Sequence, residues 1–60
     1  MEIIYTDISI NNDLIYKITK SGSDYKVMVN KLSTDEIIDT NAYEGSIEDC
    51  IAFITIKISK

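Results

Sequence analysis

The chain contains no histidine and no arginine, and it has a single cysteine, Cys50. Without histidine, a cysteine or serine nucleophile lacks its usual general base, and the commonest protein ligand of transition metals is missing. One cysteine cannot form an internal disulfide, which indicates a reducing compartment. We therefore expect a cytoplasmic protein that is not an enzyme and holds no metal or other cofactor.

Long apolar runs and an excess of positive charge are also missing. No run approaches the ~20 apolar residues of a membrane helix, and the start lacks a signal-peptide pattern. The net charge is −4, with 10 acidic and 6 basic residues. A protein that binds nucleic acid directly presents a basic surface, and this composition does not supply one. We expect neither membrane association nor direct nucleic-acid binding.

What the chain does contain is four short segments in which apolar and polar residues alternate, the period of a half-buried strand. Clusters of Asn, Asp, Ser and Gly separate them and favour turns. The 60 residues are too few for more than one domain, so residues 1–60 are read as a single unit. The predicted strands cover residues 2–10, 14–20, 25–31 and 36–43.

The pairing of the first two strands depends on the length of the loop between them. A three-residue loop places Thr6 opposite Ile18 and Asp7 opposite Lys17, whereas a two-residue loop places Thr6 opposite Lys17. We favour the longer loop because it keeps the apolar residues together and pairs opposite charges. The core face of the first strand would then consist of Ile4, Thr6, Ile8 and Ile10.

Four-residue loops give a consistent register for the next two hairpins. Ile18 then faces Val27 in the second hairpin. In the third, Val29 faces Ile38. The same loop also brings together Lys31 and Glu36. The pattern therefore predicts a four-stranded antiparallel meander.

The last long element, Ser46 to Ile58, reads as a helix. Ser46 can cap the amide of Asp49, and apolar residues recur behind it at helical spacing. The helix stripe consists of Ile47, Cys50, Ile51, Ile54 and Ile58. The alternative is a fifth strand over residues 51–58, because this run is rich in β-branched residues. We favour the helix, since otherwise nothing covers the apolar face of the sheet. The predicted fold class is α+β, in the order ββββα.

Cys50 lies on the apolar stripe, which predicts a buried and inert thiol rather than a nucleophile. With one sheet face covered, several large apolar residues remain on the other: Ile3, Tyr5, Ile15, Met28, Ile37 and Tyr43. Phe53 and Ile56 lie on the outer side of the helix. Because so much exposed apolar surface usually marks an interface, we expect a homodimer with contacts at Phe53 and Ile56. The alternative interface is the outer face of the sheet.

Residues 32–56 contain six acids and no lysine. The acids are Asp35, Glu36, Asp39, Glu44, Glu48 and Asp49. Their spacing matches no calcium-binding loop, and the last two suit the positive end of a helix. Acids crowded on one side favour a partner protein with a basic surface. The expected partner-binding residues are Asp35, Glu36, Ile37, Asp39, Tyr43 and Glu44.

These features predict a non-enzymatic protein-binding module. One concrete form is a phage-type inhibitor that occupies the basic, nucleic-acid-binding surface of a host protein. The composition, rich in Ile, Asn and Lys and without Pro, Trp or Arg, is typical of AT-rich bacterial and phage genomes. The alternative is a structural subunit whose function is homo-oligomerisation.

Overall fold

A computed structural model describes residues 2–59 and shows one open antiparallel sheet followed by a single helix, as predicted. The strands follow one another in space, so β1 and β4 are the edges of the sheet. Residues 1 and 60 of the predicted domain lie outside the residues that the structure describes. The elements are β1 Ile3–Ser9, β2 Leu14–Ser21, β3 Asp24–Lys31, β4 Ile37–Gly45 and α1 Ile47–Ile58.

Helix α1 begins at the predicted cap. Ser46 is extended, with φ −67° and ψ 160°, and its Oγ accepts a hydrogen bond from the Asp49 amide at 3.2 Å. This bond satisfies one of the amides that a helix leaves without a partner in its first turn. The helical prediction is confirmed, and a fifth strand over residues 51–58 does not form.

The helix contacts all four strands and covers one face of the sheet. Its buried residues, Cys50 and Ile54, are fully inaccessible, as are Ile18 and Val27 on the two central strands. Apolar burial of this kind is the main stabilising contribution to a small domain. The buried apolar core consists of Tyr16, Ile18, Val27, Val29, Cys50 and Ile54.

The register of the second hairpin is confirmed: Ile18 lies opposite Val27, and Tyr16 lies opposite Val29. The strands extend farther than predicted, because the turn contains only Gly22 and Ser23. Gly22 has φ +63°. Two-residue hairpin turns need such a left-handed residue, which glycine adopts without steric cost.

The register of the first hairpin was predicted wrongly by one residue. Thr6 lies opposite Lys17, and Tyr5 lies opposite Ile18, so the rejected pairing is the one that forms. Residues directly opposite each other share a face, and Tyr5 therefore faces the helix. The pair of Asp7 with Lys17 does not form, since Asp7 lies opposite Tyr16. The residues assigned to the core face are instead exposed: Ile4, Thr6, Ile8 and Ile10.

The reason lies in the turn between β1 and β2, which spans residues 10–13. Asp13 takes a left-handed φ of 57°, and its amide bonds the Ile10 carbonyl at 3.2 Å. The turn thereby brings Ser9 into a buried position, where its Oγ accepts a hydrogen bond from Asn12 at 3.0 Å. A serine satisfied in this way can occupy the covered face, and that face also accommodates the large ring of Tyr5.

The third hairpin begins in the predicted register and then departs from it. The Lys31 amide donates to the Glu36 carbonyl at 2.7 Å, as expected from their pairing. Farther along, the register shifts twice, and Val29 lies opposite Asp39 rather than Ile38. Such shifts are β-bulges, which are common in edge strands and cannot be seen in an alternating pattern.

The shifts also move Tyr43, which was predicted on the uncovered face. Tyr43 lies opposite the core residue Val27 and packs against the core. The uncovered face therefore lacks both predicted tyrosines, Tyr5 and Tyr43. By register it carries Ile3, Ile15, Met28 and Ile37.

The Ile54→Val substitution should lower the free energy of unfolding by about 1 kcal/mol, because it removes a fully buried methyl group. Ile56→Val is the matched control, since it makes the same change in the same helix at a side chain that is 56% exposed. The control should change stability by less than about 0.5 kcal/mol. Chemical denaturation of both variants measures the difference, and equal effects would show that the helix packs on another face.

Candidate protein-binding surface

The acids of residues 32–56 lie along one edge of the molecule. They occupy edge strand β4, the turn before it and the first turn of α1. All six are exposed, and five of them make no ion pair with the described residues: Glu36, Asp39, Glu44, Glu48 and Asp49. We call this set the acidic edge. An edge strand with several carboxylates resists pairing with strands of other chains.

Asp35 is exposed but is held by the turn between β3 and β4. Its Oδ1 accepts a hydrogen bond from Asn30 Nδ2 at 3.1 Å and lies 3.7 Å from Lys17 Nζ. Its φ of 62° is left-handed. An aspartate tolerates this conformation better than most residues do. Lys17 offsets the charge of Asp35, which is why Asp35 is not a member of the acidic edge.

A second aspartate, Asp13, links the turn between β1 and β2 to the turn between β3 and β4 through hydrogen bonds. Its carboxylate accepts hydrogen bonds from the Ser33 amide at 3.0 Å and from Ser33 Oγ at 2.7 Å. Its carbonyl accepts a third from the Leu32 amide at 2.9 Å. The sequence offers no signal for this contact, because 20 positions separate the partners. The contact holds the start of the acidic edge in place.

The members of the acidic edge differ in whether their carboxylates accept hydrogen bonds from neighbouring residues. Asp39 accepts from the Asn41 amide at 2.9 Å, and Glu44 accepts from the Asn41 side chain at 3.5 Å. Across residues 2–59, the carboxylates of Glu36, Glu48 and Asp49 make no hydrogen bond or ion pair with protein groups. These three charges are therefore free to meet a partner.

The expected partner-binding residues divide between the two sides of β4. Ile37 lies opposite Asn30 and belongs to the uncovered face, whereas Asp39 and Tyr43 lie on the helix side. A flat partner surface could not contact both sides at once. A partner reaches residues on both sides of β4 only by approaching the edge of the strand, where exposed carboxylates lie.

Beside this edge, an open groove runs between β4 and α1. Its volume is about 240 Å³, and it is lined by Tyr43, Asp49, Ala52, Phe53 and Ile56. The four helical positions lie on one stripe of the helix, because Asp49 and Phe53 are four residues apart and so are Ala52 and Ile56. The rings of Tyr43 and Phe53 stack at a centroid distance of 5.1 Å. Predicted partner-binding and dimer residues thus meet in a single groove.

The uncovered face bears a second apolar region. One row crosses all four strands and contains Ile8, Ile15, Asn30 and Ile37. Ile8 and Ile37 are 43% and 58% exposed. Asn30 is buried, and its Oδ1 has no hydrogen-bond partner among the described residues.

Cys50 is buried, as predicted, and its Sγ approaches the carbonyl oxygen of Tyr25 at 3.6 Å. Burial raises the pKa of the thiol, because desolvation disfavours the thiolate. A hydrogen bond with the Gly45 backbone acts in the opposite direction, and the carboxylates of Asp49, Asp24 and Glu44 raise the pKa further. The thiol is thus held in its unreactive form at neutral pH.

Among residues 2–59, no three Cys, Asp or Glu side chains are grouped as a metal site would need. In the same residues, no helix is both long and apolar enough to cross a membrane. Comparison with known protein families, curated proteins and solved structures returned no significant match. The candidate function therefore rests on the geometry of the acidic edge and the groove beside it.

The thiol of Cys50 should react with a disulfide reagent at neutral pH much more slowly in the folded protein than in denaturant. Because the folded pKa is raised, the unfolded thiol ionises first as the pH increases. The protein should therefore lose stability as the pH rises above about 9, the range in which a free thiol ionises. Stopped-flow labelling measures the reaction, and equal rates in both states would contradict burial.

Proposed function

We propose that this chain is a non-enzymatic protein-binding module that docks its acidic edge onto a basic surface of another protein. The observation that carries the proposal is the set of exposed carboxylates on edge strand β4 and at both of its ends, beside a groove with two stacked aromatic rings. Charge of one sign steers a partner of the other sign, and aromatic residues supply the contacts that hold it.

The repulsion among the acids supports this proposal. The carboxylates of Glu36 and Glu48 make no hydrogen bond or ion pair within residues 2–59, so no neighbouring cation offsets their charge. Such repulsion slightly destabilises a domain that has a small core. Part of the charge has a local use, since Glu48 and Asp49 complement the helix dipole. A basic partner would relieve the repulsion among the remaining carboxylates.

The concrete form of the proposal is a phage-type inhibitor that covers a nucleic-acid-binding surface of a host protein. A row of carboxylates on a strand edge presents negative charge to lysine and arginine side chains, as a phosphate backbone does. A target of this kind would be unable to bind nucleic acid while the module is attached. The amino-acid composition, which is typical of AT-rich bacterial and phage genomes, is consistent with a phage origin.

The test compares two variants with the same net charge. Glu36→Gln with Glu48→Gln removes two free charges from the acidic edge, and Glu2→Gln with Asp7→Asn removes two from the β1 side. We expect the first variant to retain fewer nucleic-acid-binding proteins from a bacterial lysate, by about tenfold for each 1.4 kcal/mol lost. Quantitative mass spectrometry of the immobilised proteins gives the measurement.

Added DNA should release the captured proteins, and so should raised salt, which screens exposed charges. If the two variants retain the same proteins in the same amounts, and DNA releases none of them, the acidic edge is not the binding surface. Circular dichroism of both variants confirms that each remains folded before the comparison is made.

A second candidate is an assembly subunit that functions as a homo-oligomer. It is favoured by four isoleucines on or beside edge strand β1, each between 42% and 76% exposed. These are Ile3, Ile4, Ile8 and Ile10. In contrast to β4, this strand carries one carboxylate, Asp7, and its exposed side chains suit an interface between copies.

Light scattering after size exclusion tests this candidate. A dimer through the groove should dissociate on Ile56→Gln, whereas a dimer through β1 should dissociate on Ile8→Thr, which preserves strand propensity. A mass of 6.8 kDa at high micromolar concentration would show a monomer and exclude the assembly function.

A further inference from the structure

We propose that the groove between β4 and α1 receives an arginine side chain of the partner protein. This inference rests on the proposed function, because it identifies the residue that the acidic edge attracts. The groove lies beside that edge, and Asp49 belongs to both. A basic surface that approaches the acids therefore presents its side chains to the groove.

The size of the groove favours one long side chain over a small-molecule ligand. Its volume of about 240 Å³ is below the range of about 300–1,000 Å³ that is typical of sites for larger ligands. It is also open to solvent along the helix. A side chain can enter from outside while the backbone that carries it stays on the molecular surface.

The lining matches the two parts of an arginine. Ala52, Phe53 and Ile56 offer apolar surface to the methylene stem, which other proteins bury in the same way. Asp49 offers a carboxylate that can accept two parallel hydrogen bonds from a guanidinium group. Its carboxylate makes no such bond with protein groups in the described chain, since only its amide is engaged, with Ser46.

The Phe53 ring of the aromatic pair already lies close to a cation. Lys57 Nζ lies 5.4 Å from the centroid of the Phe53 ring. An ammonium group is a compact and strongly hydrated charge, whereas a guanidinium group is planar, less hydrated and stacks on aromatic rings. An arginine from a partner can therefore compete with Lys57 at this ring. Lys57 is the basic group that opposes binding, and Asp49 is the acidic group that favours it.

The first experiment uses three blocked pentapeptides that differ only at the central position. The sequence Ala-Ser-Arg-Ser-Ala is compared with peptides that carry lysine or the neutral isostere citrulline, each titrated into 15N-labelled protein at low salt. The arginine peptide should shift the resonances of Tyr43, Ala52, Phe53 and Ile56. The lysine peptide should bind about three- to tenfold more weakly, and citrulline should produce no shift.

Two charge-neutralising variants locate the contact. Asp49→Asn should weaken binding of the arginine peptide by about three- to tenfold, because the carboxylate is the direct acceptor. Glu48→Gln is the matched control, since it removes the same charge from the same helical turn at a residue that does not line the groove. It should have less than half that effect. Lys57→Met should strengthen binding, because it removes the competing cation.

The inference is overturned if the arginine peptide leaves the groove resonances unchanged, if citrulline binds as well, or if Asp49→Asn and Glu48→Gln have equal effects. Preferential binding of lysine would also overturn it. Each of these results leaves the proposed function to be decided by the capture experiment, which changes Glu36 and Glu48 and no groove residue. If capture fails while arginine still enters the groove, the proposed function is wrong and the site remains.

Discussion

The fold depends on one contact layer, in which a single helix covers one face of a four-stranded sheet. Cys50 and Ile54 of α1 meet Ile18 and Val27 of the central strands, and all four side chains are fully buried. No disulfide supports this layer, because the chain has one cysteine. The contact also determines the candidate site, since it places the stripe of Asp49, Ala52, Phe53 and Ile56 beside β4.

The features that were predictable from sequence are those with a local signature. The cap at Ser46 and the apolar stripe behind it defined α1, and a predicted loop over residues 21–24 gave the right register for the second hairpin. The first hairpin failed because its turn depends on a left-handed Asp13, and no alternation of apolar and polar residues reveals that conformation. A slip of one residue then exchanged the two faces of β1.

The site was predictable in composition but not in arrangement. The acidic run from Asp35 to Asp49 is evident in the sequence. Which of these carboxylates have bonding partners in the fold was not predictable. Asp35 is held by Asn30 and Lys17, while Glu36 and Glu48 are free. The groove was missed because two bulges in β4 bring Tyr43 onto the helix side, where it stacks on Phe53. Bulges of this kind arise from the balance of neighbouring contacts along a whole strand.

The two edges of the sheet differ in a way that bears on function. Both edges expose isoleucines, but β4 is bulged and has carboxylates on it and at both ends, whereas β1 carries the single carboxylate of Asp7. The charge and the bulges of β4 resist strand pairing and suit a charged protein partner. Amide hydrogen exchange of the protein alone and in its captured complex distinguishes these surfaces most directly. Binding through the acidic edge should slow exchange in β4 and in the first two turns of α1, and leave β1 unchanged. Slowed exchange in β1 with no change in β4 or α1 would contradict it.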